Sequence, residues 1–101
     1  MKRPLRLHGA ALQEIRKATA WYRRRNPVAA ARFAASMKLA LASIRDGTAP
    51  MQTIPDSGLQ RMILRDFPYQ IIVEERLLDR QVVAISHQAR APGYWRTRVQ
   101  R

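Results

Sequence analysis

The sequence contains no cysteine, so neither a disulfide framework nor a thiolate zinc site can form. Histidine is nearly as scarce. His8 and His87 are the only two, and without clustered acids they offer no metal site. Acids number seven: Glu14, Asp46, Asp56, Asp66, Glu74, Glu75 and Asp79. Only Glu74 and Glu75 are adjacent. Adjacent strand residues point to opposite faces, so they cannot work as a carboxylate pair, which disfavours metal-dependent nuclease chemistry. No apolar run approaches the ~20 residues of a membrane span. The start, "MKRPLRLHGAAL", lacks a continuous apolar segment, which argues against a signal peptide and leaves a basic amphipathic targeting helix open. A Gly-rich phosphate loop and a Ser/His/Asp order are also missing.

Positive charge is abundant instead. Sixteen arginines and three lysines give a formal charge of +12 on 101 residues, a length that suits one domain spanning 1–101. Self-repulsion at that density costs stability unless a partner offsets it. Nucleic acid, an acidic protein and anionic lipid are the natural classes. The excess of arginine favours partners with phosphate or carboxylate groups, which the planar guanidinium grips bidentately.

Helical periodicity fills the first half. A short alternating run, "RPLRLH", reads as a strand, with Leu5 and Leu7 on one side. Residues 10–25 read as a helix, because Ala11, Ile15, Ala18 and Tyr22 are spaced 4, 3 and 4. Pro27 ends it, and Asn26 then caps a second helix over 27–46, where Ala30, Phe33, Met37, Leu41 and Ile44 share a face. Gly47 closes that helix.

The second half alternates. Residues 47–58, with two prolines and two glycines, read as a connector. Three strand runs follow: "LQRMILRDF", with Arg61, Ile63 and Arg65 on one face; "YQIIVEE"; and "RQVVAISH", with Val83, Ile85 and His87 on one face. Short joins make them an antiparallel meander. The expected fold is α+β: a short N-terminal strand and an antiparallel helical hairpin packed on a small twisted antiparallel sheet.

Several groups of residues can carry chemistry. Arg61 and Arg65, four apart on a strand, either grip successive phosphates or simply face solvent. His87, with an unperturbed pKa near neutrality, is either a general acid/base or a histidine bonded to backbone. Tyr94 and Trp95 sit among Arg90, Arg96, Arg98 and Arg101. Either they stack on unpaired bases, or Trp95 packs over the sheet and pins the tail. In "WYRRRNP" three arginines complement the dipole of the first helix's C-terminus, which is reason enough for them.

These residues together resemble the RelE/ParE superfamily of toxins from bacterial type II toxin–antitoxin modules. The resemblance rests on Phe67, Pro68, Tyr69 and Ile71, then on His87, Arg90, Pro92, Tyr94, Trp95 and Arg98, and covers nearly the whole chain. It implies a cytoplasmic protein with no cofactor and no membrane partner, neutralised by an antitoxin whose disordered, often acidic tail folds along the helices and sheet edge. It also implies one of two targets, or a member whose target is different or whose toxicity is lost. RelE-like members cut mRNA on the ribosome without metal, for which Arg61, Arg65, His87, Arg90 and Tyr94 are the candidates here. ParE-like members lack that catalytic set and poison DNA gyrase, for which Arg61, Arg65, Arg90, Tyr94, Arg96 and Arg98 are candidate contacts. Two departures from the RelE pattern favour the ParE-like branch: "MQTIPDSGLQ" contains no lysine, and Gln88 stands six residues before Tyr94, where RelE has an arginine.

Overall fold

The computed structural model describes residues 3–99, so Arg101 lies outside the described residues. The chain runs β1 (Leu5–Leu7), α1 (Gly9–Arg25), α2 (Pro27–Asp46), β2 (Gln52–Ile54), β3 (Leu59–Ile63), β4 (Tyr69–Glu75), β5 (Arg80–His87) and a 3-10 turn, Tyr94–Arg98.

Local chemistry sets the helix ends. The His8 imidazole caps α1 by accepting from Ala10 N–H at 3.1 Å. Asn26 is extended (φ −161°), which breaks the first helix, and its side chain accepts from Val28 and Ala29 N–H to start the second. Gly47 ends α2 at φ +78°, a conformation that glycine adopts without a side-chain clash.

The five strands lie in the order β1-β5-β4-β3-β2. β3 to β5 form the expected antiparallel meander and β2 extends it, whereas β1 pairs in parallel with β5, so the sheet is mixed. The helical hairpin supplies the long crossover that a parallel neighbour needs. Three local expectations are corrected. The 47–58 connector contains β2, a three-residue edge strand too short for its alternation to register. β3 stops at Ile63, and Leu64 N–H bonds Tyr69 C=O to close the loop, so Arg65 lies in a bend and does not share a strand with Arg61. A bulge in the β4–β5 pairing matches Ile72 with Ala84 and Val73 with Val82, which leaves Val83 over and breaks the two-residue period.

Because of the bulge, Val83 and Ile85 face opposite sides. Val82 and Ile85 join Ile71, Val73, Phe33, Met37 and Ile44 in the core beneath the helices. Val83 and Ala84 join Leu59, Ile72 and Trp95 on the other face. Both faces of β4 and β5 are therefore covered, which explains their nearly continuous apolar runs. α2 is long and apolar enough by composition to cross a membrane. Here its buried residues recur every three or four positions and pack on the sheet.

Candidate functional site

β1 pairs only with Arg80–Val82, so the rest of β5 would present an unpaired edge. Side chains cover it. The Glu14 carboxylate, carried by α1, accepts from Ile85 N–H at 3.0 Å, and Arg98 donates to Val83 C=O at 3.1 Å. The two side chains also bond each other, Arg98 Nη1 to Glu14 Oε1 at 2.9 Å and Nη2 to Oε2 at 3.3 Å. Tyr94 Oη donates to the same carboxylate at 2.6 Å, and Arg90 Nη1 at 3.2 Å. The Arg90 guanidinium lies 3.6 Å over the Tyr94 ring, a cation–π contact.

Burial pushes the Glu14 carboxyl up, but the hydrogen bonds from Arg98, Tyr94 and Ile85 outweigh it and hold the group below its usual value. Burial and the bond to Glu14 raise the Tyr94 hydroxyl, which disfavours the phenolate.

The tail reaches this cluster through a folded strap. Gln88 N–H bonds Pro68 C=O, and Arg90 N–H bonds His87 C=O. Gly93 turns the chain at φ +86°. Trp95, 3% exposed, then packs on Leu59, Ile72, Val83 and Ala84. The reading of Trp95 as the anchor of the tail describes what is seen. Of the two arginines that such an anchored tail would leave in solvent, Arg96 is exposed, but the Arg98 side chain is only 16% exposed, because Glu14 draws it inward.

The other candidates are dispersed. Arg61 is half-buried on the Trp95 face of the sheet and donates to Gln52 Oε1 at 3.2 Å. Arg65 is exposed in its bend. His87 accepts from Ala89 N–H at Nδ1 and meets the Tyr69 ring edge-on, 5.0 Å between centroids. Arg90, Tyr94 and Arg98 thus converge on Glu14; His87 shares a cleft with Glu14 and Arg90, Arg61 lines a second pocket with Arg90, and Arg65 and Arg96 make no contact with the cluster.

The centre of the cluster, Glu14, was not among the candidates. A signal existed. Glu14 is the only acid in the first 45 residues, and it stands three after Ala11 and four before Ala18, the two buried positions of α1. A carboxylate at that spacing borders the buried stripe of the helix and needs partners there.

A family model described as "ParE toxin of type II toxin-antitoxin system, parDE" matches residues 5–92. That span includes Glu14, Arg61, Arg65, His87 and Arg90 and ends before Tyr94. No curated protein sequence matches the chain. Among solved structures, one described as "Chromosomal ParDE TA system from P. aeruginosa" aligns with a TM-score of 0.71 and 13% identity, covering 85% of this chain and 96% of the other. At that identity the likeness is one of fold: two helices on a five-stranded sheet.

Proposed function

Since this chain belongs to the ParE toxin family of type II toxin–antitoxin systems, we propose that it acts in the cytoplasm by binding DNA gyrase and trapping its cleaved-DNA state, and that a cognate antitoxin neutralises it. Such a poison needs a surface and no catalytic residues of its own. The observation that carries this reading is the commitment of Arg90, Tyr94 and Arg98 to Glu14. Those are tail residues that an RNA-cutting mechanism would turn toward its substrate. Here Tyr94 is an internal donor with a raised pKa, a poor starting point for a general base. The departure of Arg65 from the Arg61 strand further weakens a two-arginine phosphate grip.

The antitoxin follows from the module to which the family belongs. An acidic segment laid along the helices and the sheet edge would offset the +12 charge. On that side the groove between α2 and β3 exposes Leu39 and Ile63.

The test uses the purified, antitoxin-free chain with gyrase, ATP and relaxed plasmid. The expected result is loss of supercoiling with accumulation of linear DNA. Unimpaired supercoiling by folded toxin, together with mRNA cleavage in a translating extract, would overturn the reading in favour of a ribosome-dependent nuclease.

A further inference from the structure

Beside the Glu14 cluster, between α1 and the ends of β4 and β5, lies a cleft of about 400 Å3. That is within the roughly 300–1,000 Å3 range of ligand sites. Trp21, Tyr22 and Tyr69 give it aromatic walls, with Ala18 and Ile85 completing the apolar lining. Lys17, His87 and Arg90 supply the polar rim. Glu14 also borders the cleft, but Arg90, Arg98 and Tyr94 already answer its charge, so the rim stays cationic.

Trp21 lines this cleft and is 44% exposed. The guanidinium of Arg25 sits 3.9 Å over its ring, held by a bond from Arg25 Nη1 to the Trp21 carbonyl. Lys17, Trp21 and Arg25 are spaced by four, so they stand in one row along α1, about one helical turn (~5.4 Å pitch) apart. Exposed Arg23 and Arg24 add positive charge to the same end of α1, on other faces of the helix. Aromatic faces interleaved with cations along a groove are the arrangement that holds unpaired nucleotides: rings stack on bases, and cations follow the phosphates. At the inner end, Ala89 N–H occupies His87 Nδ1, so the neutral ring keeps its proton on Nε2 as a donor for a base edge.

We propose that this cleft takes one base of a single-stranded nucleic acid, stacked on the Trp21 ring, with the neighbouring phosphates on Lys17 and Arg25. The site lies on the α1 side, and Arg90 also lines a second pocket together with Arg61. It goes beyond the gyrase reading and does not depend on it.

The chain's charge will bind any polyanion, so the test must separate bases from phosphates. Fluorescence anisotropy would compare a labelled oligothymidylate 12-mer with an abasic 12-mer of identical phosphate content. The 12-mer bearing bases should bind about tenfold more tightly, the scale of one stacked base. Trp21→Ala should bring its affinity down to that of the abasic strand and leave abasic binding unchanged, while Trp21→Phe should keep most of the difference. Because Trp21 is half-exposed, both variants should fold, which a thermal melt checks. Equal binding of the two strands, or an equal loss of both in Trp21→Ala, would overturn the proposal. So would a short acidic peptide with a central Phe that binds in a Trp21-dependent way more tightly than the oligonucleotide, because the cleft would then belong to a protein partner. No gyrase is present in this experiment, so its failure and that of the gyrase reading are separate results.

Discussion

The Tyr94 hydroxyl donates to the Glu14 carboxylate at 2.6 Å, joining residues 80 positions apart in the chain. That bond ties the C-terminal strap to the first helix. With Arg98 and Ile85 on the same carboxylate, it closes the stretch of β5 that β1 is too short to cover. Residues that look like a free basic tail in the sequence are part of the tertiary frame.

Glu14→Ala should therefore destabilise the fold by about 3 kcal/mol, because it strands the largely buried Arg98 guanidinium and frees the Ile85 N–H. Glu14→Gln keeps acceptors for Ile85 and Tyr94 and should cost less. Urea denaturation of the two variants against the parent chain measures both.

The same carboxylate should shape the acid limb of the stability curve. Its pKa is lower folded than unfolded, where the ordinary value is 4.5. Its contribution is therefore complete above that value and disappears as pH falls below it, through the depressed folded pKa. Stability measured between neutral pH and pH 3 should fall less steeply at the acidic end in Glu14→Gln. Parallel curves would mean that Glu14 does not titrate differently in the folded chain.

Tyr94→Phe separates structure from chemistry. Losing a hydrogen bond to a charged partner should cost about 1.5 kcal/mol. Under the gyrase reading, inhibition per folded molecule should be unchanged. A variant that melts like the parent but has lost all toxicity would give Tyr94 a catalytic part.

Trp95→Ala should cost about 3–5 kcal/mol, since it empties the centre of the second hydrophobic cluster. Trp95→Phe should lose less. Thermal melts followed by near-UV circular dichroism would show both the loss of stability and the loosening of the strap.

Arg96 and Arg98 should behave differently despite their proximity. Arg98→Ala should lower the melting temperature, because the side chain holds Glu14 and Val83. Arg96→Ala, at an exposed position, should leave melting unchanged and weaken gyrase inhibition if the tail contacts the target. Truncating the whole segment from Arg96 would mix the two effects.

Patterns within a few residues made much of the architecture legible. Asn26-Pro27 marked the break between the helices, because the same residue stops one and caps the next. The 3–4 spacing of Phe33, Met37 and Ile44 announced the face of α2 that meets the sheet. The period of two in "YQIIVEE" placed Ile71 and Val73 opposite Ile72. Where pairing rather than pattern decides, the reading failed. β2 is a strand only because β3 lies beside it, and the extra residue at Val83 exists only in register with β4.

The sequence by itself determined the helical hairpin, the meander, the excess of positive charge and the family resemblance, because propensity, capping, alternation and composition act over short stretches of chain. Only the tertiary structure decided which of the tail's charges pair within the chain. Arg90, Tyr94 and Arg98 meet Glu14 because a parallel β1 leaves part of β5 uncovered and the strap crosses to close it. Trp21 stays at the mouth of a cleft because the walls opposite it come from β4 and β5. Both arrangements join distant stretches of chain, and periodicity within one stretch carries no information about them.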